Sequence, residues 1–253
     1  MSIIIPRCGF NRHTKQAILY GPLELGGASF RPLYMQQGIG QTTLFLRHWR
    51  KNSVAGKLLQ IALRWFQVQA GVSYPILQQV SSPLPQLESK WIASLRTFLH
   101  SIGASIWVDN PGIPKLQRMH DVVLMDVIQS SARFTDQEIR KLNYCRLYLK
   151  AVTLSDITTV SGTSLDSSKL TGEISLQSST HLGPEIYQER PSPSTWLLWK
   201  RANRLWSNPT GVLYQSLGDW VDHSIHTQRQ QHFSYRLRDI LWIRIALGYM
   251  SCI

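Results

Sequence analysis

Ser53-Val54-Ala55-Gly56-Lys57-Leu58-Leu59-Gln60-Ile61-Ala62-Leu63-Arg64-Trp65-Phe66-Gln67-Val68-Gln69-Ala70-Gly71 reads as one amphipathic helix with its own start and stop. A serine before the first helical residue accepts a hydrogen bond from an amide that the first turn leaves unpaired. A glycine after the last turn takes up the left-handed conformation that ends many helices. Val54, Leu58, Ile61, Trp65 and Val68 recur at three or four residues and form the expected buried stripe. Lys57, Gln60, Arg64 and Gln67 fall on the opposite face, expected in solvent.

More helix lies on both sides. Upstream, Ile39, Thr42, Leu46 and Trp49 carry the same spacing through 34–51, and Asn52-Ser53 breaks it. Residues 1–32, with Gly21-Pro22, Gly26-Gly27 and Pro32, read as loop and short elements. Downstream, Pro75, Pro83 and Pro85 mark a link to a helix over 87–101, with Trp91, Leu95 and Phe98 inward and Gly103 after it. Asp109-Asn110-Pro111-Gly112 is a turn signature, followed by expected helices over 116–130 and 135–150. The second opens on Thr135-Asp136-Gln137-Glu138, a capping box, and its core face is Ile139, Leu142, Cys145 and Leu149.

Beyond Ser155 the texture changes to Ser, Thr and Gly, read as short strands and loops to Pro193. A last helix over 194–206 sets Trp196, Leu197 and Trp199 beside Lys200, Arg201 and Arg204. Phe233, Tyr235 and Leu237 alternate with Ser234, Arg236 and Arg238 as in a half-buried strand, and 240–245 is a second strand candidate. The expected fold is mainly α: a basic helical bundle over 1–157, then a smaller mixed α/β part over 158–253. The apolar run at the end reads as a fragment boundary.

Twenty-five aromatic residues (9 Trp, 9 Tyr, 7 Phe) among 253 exclude a chain disordered throughout. Three scattered cysteines, Cys8, Cys145 and Cys252, argue against a disulfide framework and for a reducing compartment, the nucleus or cytoplasm. No apolar run reaches the roughly 20 residues that span a bilayer. The net charge is +12, and it is uneven: residues 1–110 hold eleven Lys and Arg against three Asp and Glu. Such an excess suits a polyanionic partner, met by the first part of the chain.

Catalytic signatures are missing: no P-loop, G-x-S-x-G, H-E-x-x-H or C-x-x-C occurs, so no catalytic residue, metal ligand or cofactor is assigned. His223, His226 and His232 match no common zinc spacing and read as solvated turn residues. Asp109, Asp121 and Asp126 form a metal set only if the fold brings them together. The stronger signal is cations interleaved with aromatics, in Arg47-His48-Trp49-Arg50-Lys51, Arg64-Trp65-Phe66 and Trp199-Lys200-Arg201. Cations neutralise phosphates and release counterions, and aromatic faces stack on bases. Arg47, Arg50, Lys51, Lys57, Arg64, Lys200, Arg201 and Arg204 are the candidate nucleic-acid contacts. Trp49 and Trp65 fall on core stripes and are expected to pack rather than stack. A plain solvated face is the competing account of the cations.

Cys8-Gly9-Phe10-Asn11-Arg12, Tyr20-Gly21-Pro22-Leu23-Glu24-Leu25-Gly26-Gly27 and Leu33-Tyr34-Met35-Gln36-Gln37-Gly38 resemble the segment after the polymerase core in reverse transcriptases of eukaryotic retroelements, of the diatom and oomycete type. Asn143-Tyr144-Cys145-Arg146-Leu147-Tyr148-Leu149, Thr153-Leu154-Ser155-Asp156-Ile157 and Thr195-Trp196-Leu197-Leu198-Trp199-Lys200-Arg201 resemble its downstream region, in the same order. The resemblance implies a thumb-like, connecting region that grips a template–primer duplex. It departs at one point: the family's adjacent aspartates, which hold the catalytic magnesium ions, have no counterpart here. Polymerisation by this chain alone is therefore not expected. Expected partners are an RNA or DNA duplex and a missing polymerase palm, with no membrane. A helical scaffold that binds only protein is the alternative, and a helix-turn-helix DNA reader ranks last, because Ser53-Val54-Ala55-Gly56 offers few base-reading side chains.

Overall fold

A computed structural model describes residues 9, 11, 13–30, 32–51, 53–109, 111–172 and 189–221. These residues are mainly helical. In chain order the helices are α1 (Gln16–Tyr20), α2 (Leu33–Arg50), α3 (Val54–Ala70), α4 (Lys90–Ser101), α5 (Leu124–Ser130), α6 (Asp136–Tyr148), α7 (Ser167–Thr171) and α8 (Pro193–Asn203). Short 3-10 turns occupy Leu23–Leu25 and Leu154–Ile157. No helix among the described residues is long and apolar enough to cross a membrane.

The chain forms two compact units, Met1–Arg47 and His48–Ile253, so the division falls in the last turn of α2. The boundary expected from composition lay at 157. In the first unit the chain after α1 folds back on it, with the Ala28 and Phe30 amides donating to the Ile18 and Leu19 carbonyls, each at 2.8 Å. Leu23 and Leu25 stay 69% and 83% exposed. Ile39, expected inward, is 49% exposed, whereas Phe45 of the same helix is fully buried.

In the second unit α6 is the hub, packing on α3, α5 and α8. Its capping box forms as the sequence dictates: Thr135 Oγ1 accepts from the Glu138 amide and Glu138 accepts from the Thr135 amide. Ile139, Leu142, Cys145 and Leu149 are all buried. Burial pushes the Cys145 thiol up to about 12.

The faces of α3 differ from the expected stripe. Ser53 and Gly71 do cap it, the serine accepting from the Gly56 amide at 3.1 Å. Gly56, Leu63, Gln67 and Ala70 are buried along one side and Trp65 and Gln69 along the other, while Val54 is 69% exposed. A helix covered on two sides has no single solvent face. Gln67 is buried because loop backbone needs it: Nε2 donates to the Val72 and Tyr74 carbonyls at 3.1 and 2.8 Å, and Oε1 accepts from the Ile76 amide at 3.0 Å.

Helix α5 begins eight residues later than the start expected at 116, because the preceding amides are bonded elsewhere. Met119 and His120 donate to the Asp219 and Leu217 carbonyls at 3.1 and 3.0 Å, and Leu124 donates to Val152 at 3.1 Å. Among the described residues, the short strands expected after Ser155 are a 3-10 turn, α7 and isolated bridges such as Thr158 with Leu165 and Ser164 with Val212, and 173–188 lie outside those residues. Segments this brief, punctuated by Gly162, Gly172 and Gly211, place single pairs in register and no ladder. The strand candidates around 233–237 and 240–245 lie outside the described residues.

Candidate nucleic-acid interface

The α2–α3 corner is built by one glycine. A Cβ on Gly56 would stand 2.2 Å from the Lys51 carbonyl oxygen and 2.4 Å from that of His48. Only glycine lets the first turn of α3 cross the end of α2 so closely. The crossing sets Lys57, next in sequence, beside Arg50 and Lys51. All three are exposed, and none has an ion-pair partner among the described residues. Arg64 follows two turns along α3, about 10 Å away, half-buried with its Nε out of water. Arg47 is exposed in the first compact unit.

The cations of α8 divide. Arg201 pairs with Glu138 and lies 5.4 Å over the Phe134 ring. Bonds from the Thr135 backbone and then from Arg201 hold the Glu138 carboxyl below the ordinary carboxylate range. Lys200 and Arg204 are exposed and line a cavity of about 330 Å³ with Leu165, Ser167, Asn203 and Pro209 among its walls. Asn203 is 3% exposed, and neither Oδ1 nor Nδ2 has a hydrogen-bond partner. A buried unpaired polar group costs about 1–3 kcal/mol.

Of the aromatics interleaved with these cations, Trp65 and Trp199 are structural, and Trp49 and Phe66 are half-buried. Trp65 is 9% exposed and Trp199 is fully buried. Trp199 Nε1 donates to the Lys169 carbonyl at 3.2 Å. A Cβ on Gly172 would meet the Trp196 ring at 2.2 Å, so α7 closes tightly over α8. The most exposed aromatics are Trp107, Tyr214 and Trp220, at 76%, 67% and 58%, which no cation–aromatic run in the sequence marks.

Other cations hold backbone. Arg146, fully buried, donates to the Val68, Gln69 and Ala151 carbonyls at 2.7, 3.1 and 3.1 Å and to Asn143 Oδ1 at 2.9 Å. Arg96 reaches the Ile76, Gln79, Val80 and Ser82 carbonyls. Arg118 reaches those of Val160 and Gly218 and lies 4.0 Å from the Trp220 ring centroid. The aspartates do not assemble: Asp121 accepts from the Gln117, Val122 and Ser155 amides at 2.9–3.0 Å, Asp126 accepts from the Ser73 amide, and Asp109 is exposed. Among the described residues no group of His, Cys, Asp and Glu is arranged to hold a metal. His223, His226 and His232 lie outside them.

The chain matches no protein-family model, no curated protein and no solved structure.

Proposed function

We propose that the protein grips a nucleic-acid duplex by its phosphates at the α2–α3 corner, as a thumb-like connecting part of a retroelement reverse transcriptase acting beside a separate polymerase palm. The corner carries this reading: Arg50, Lys51 and Lys57 are gathered by the Gly56 crossing and face solvent. Three exposed cations at one corner suit a phosphate backbone, and phosphate contacts carry no sequence information, so the grip is insensitive to sequence. The polymerase context rests on the collinear motifs along 8–206, and it places the protein in the nucleus or cytoplasm. Arg64, Lys200 and Arg204 extend the contact. Arg201 contributes least, since Glu138 already neutralises it.

Fluorescence anisotropy with an RNA–DNA duplex across a salt series tests the reading. Replacing Arg50, Lys51 and Lys57 together with Ala should lower the slope of log affinity against log salt by about 2–3, at roughly 0.9 per phosphate lost. An unchanged slope overturns it.

A protein-binding scaffold is the second reading. It is favoured by Leu23 and Leu25, 69% and 83% exposed, and by Trp107 on the rim of a cleft of about 490 Å³ with Tyr74 and Pro75. Absence of salt-dependent duplex binding would leave it standing alone.

A further inference from the structure

We propose that the cleft between the 72–82 loop and the end of α4 binds a proline-rich segment of a partner protein in polyproline II form, with Trp107 as its stacking ring. The inference goes beyond the duplex grip and does not rest on it. The cleft holds about 490 Å³, and Tyr74, Pro75, Gln78, Ser81, Ser105 and Trp107 are among its walls. No Lys, Arg, Asp or Glu lines it. In a chain of net charge +12, a cleft without a cation matches a neutral ligand rather than a polyanion.

The hydrogen-bonding groups narrow the choice. On the loop wall the carbonyls are taken. Arg96 bonds those of Ile76, Gln79, Val80 and Ser82, and Gln67 bonds those of Val72 and Tyr74. The Pro75 carbonyl accepts from the Gln78 and Gln79 amides, each at 3.1 Å, and the Leu77 carbonyl accepts from the Ile106 amide at 2.9 Å. At the end of α4 the Phe98, Leu99 and His100 carbonyls accept from the Ile102, Ala104 and Gly103 amides. Donors remain: Trp107 Nε1, the Gln78 carboxamide and the Ser81 and Ser105 hydroxyls make no hydrogen bond among the described residues. A ligand suited to these walls accepts hydrogen bonds and donates few. A proline-rich segment does so, since each proline lacks an N–H and the polyproline II backbone has no internal bonds to occupy its carbonyls. A sugar donates through every hydroxyl, and a strand added to an edge donates through its amides, so both need the acceptors that these walls have already used.

The rings and the loop are preformed. Trp107 is 76% exposed, yet its neighbour Ile106 is buried and tied by its amide to the loop. Beside Tyr74 and Pro75 it supplies the flat apolar face that aromatic-lined grooves offer to proline rings. Gln67 and Arg96, both buried, hold the loop in one shape, so binding requires little further ordering. Gln67 lies about 15 Å along α3 from Lys57, which sets the cleft apart from the corner.

Isothermal titration calorimetry on the full chain tests the inference, with end-capped decaproline, a Gly-Ser peptide of equal length, maltohexaose and a short single-stranded oligonucleotide. Decaproline should bind roughly tenfold or more tightly than the Gly-Ser peptide. Trp107→Ala should remove that preference and leave the melting point unchanged, because the ring it deletes is mostly in solvent. Gln78→Glu keeps the shape of the side chain but replaces its donor by an acceptor, so it should weaken decaproline; a ligand held through its own N–H groups would gain. Ala at Arg50, Lys51 and Lys57 should flatten the salt slope of duplex binding and leave decaproline affinity unchanged, so the two readings fail separately. The proposal is overturned by no decaproline binding at millimolar concentration or by equal affinity for the Gly-Ser peptide. Unchanged affinity in Trp107→Ala, or tighter binding in Gln78→Glu, would overturn it too. Tighter binding of maltohexaose or the oligonucleotide than of decaproline would overturn it in favour of that class of ligand.

Discussion

The two ends of α3 use polar side chains in opposite ways. At its start Gly56 brings backbone against backbone, and Lys57, Arg50 and Lys51 are turned out into water. At its end Gln67 and Gln69 are 1% and 6% exposed, and the Val68 and Gln69 carbonyls are taken by the buried Arg146 guanidinium. Gly71 sits so close that a Cβ there would lie 2.6 Å from the Arg146 Cζ, at a φ of +65°. One end leaves cations free to meet a partner, and the other spends a cation on satisfying loop and helix-end carbonyls. A count of lysines and arginines treats both alike. What separates them is where unsatisfied carbonyls lie, which is a property of the folded chain.

Breaking the buried end should have the largest effect. Arg146→Met would remove the guanidinium donor from the Val68 and Ala151 carbonyls and Asn143 Oδ1, while the Gln69 carbonyl would keep only Asn143 Nδ2 at 3.0 Å. We expect a loss of about 3–5 kcal/mol, a large part of the roughly 5–15 kcal/mol typical of a whole domain. Arg146→Lys should lose nearly as much, since an ammonium cannot reproduce the planar fork. Urea midpoints measure both, and a near-neutral Arg146→Met would show that the guanidinium anchors nothing. Cys145, adjacent in sequence, gives a second readout. Its thiol, raised to about 12, stays protonated and shielded at about pH 8, so in a Cys8→Ser, Cys252→Ser background alkylation should wait for unfolding and speed up in Arg146→Met.

Capping and periodicity made α6 legible in the sequence down to its capping box, because both signals are local. The ends of α3 were legible for the same reason, through Ser53 and Gly71. The faces of α3 were not. The spacing of Val54, Leu58, Ile61, Trp65 and Val68 assumes one covered side, and a helix packed on two sides breaks that assumption. Helix α5 is shorter than its pattern because amides near 119–124 bond residues distant in sequence, which no local signal encodes. At the candidate interface the exposed trio Arg50, Lys51 and Lys57 is visible in the sequence as charge, but nothing local says that Gly56 gathers it. The cavity beside α8 was invisible, since Leu165 and Asn203 meet only in the folded chain.

Gln67→Leu should cost less than the loss of Arg146, about 2–3 kcal/mol, because the Val72 and Tyr74 carbonyls and the Ile76 amide would lose a neutral partner. Hydrogen exchange at the Ile76 amide checks it directly: that amide should exchange faster while those within α6 keep their relative protection. Uniformly unchanged exchange would mean that Gln67 only fills space.

A smaller effect is expected at Glu138, where the surface meets the hub helix. Its folded carboxyl is held below the ordinary value of 4.5, first by the Thr135 backbone and then by Arg201. The folded state therefore favours the charged form. That contribution is present above the ordinary value and is lost as the pH falls through the lower folded value. Glu138→Gln should melt below the wild type at neutral pH, and the gap should close on acidification. A gap independent of pH would assign the loss to the capping geometry rather than to the charge.

The smallest change in stability belongs to Lys57→Ala, and its comparison with Arg64→Ala tests how the two ends of α3 divide their work. Lys57 is exposed at the corner, so its loss should move stability by no more than about 0.5 kcal/mol while reducing the salt slope of duplex binding by roughly 1. The apolar spacing of α3 puts Arg64 in solvent. Its Nε is out of water and its stem is half-buried, so truncation also removes packing. Arg64→Ala should therefore cost about 1 kcal/mol as well as weakening the grip. If Lys57→Ala destabilises as much as Arg64→Ala, the corner lysine is holding structure, and the outward trio shrinks to a pair too small to define a phosphate track. If Arg64→Ala alone flattens the salt slope, the contact runs along the side of α3 and not across its start.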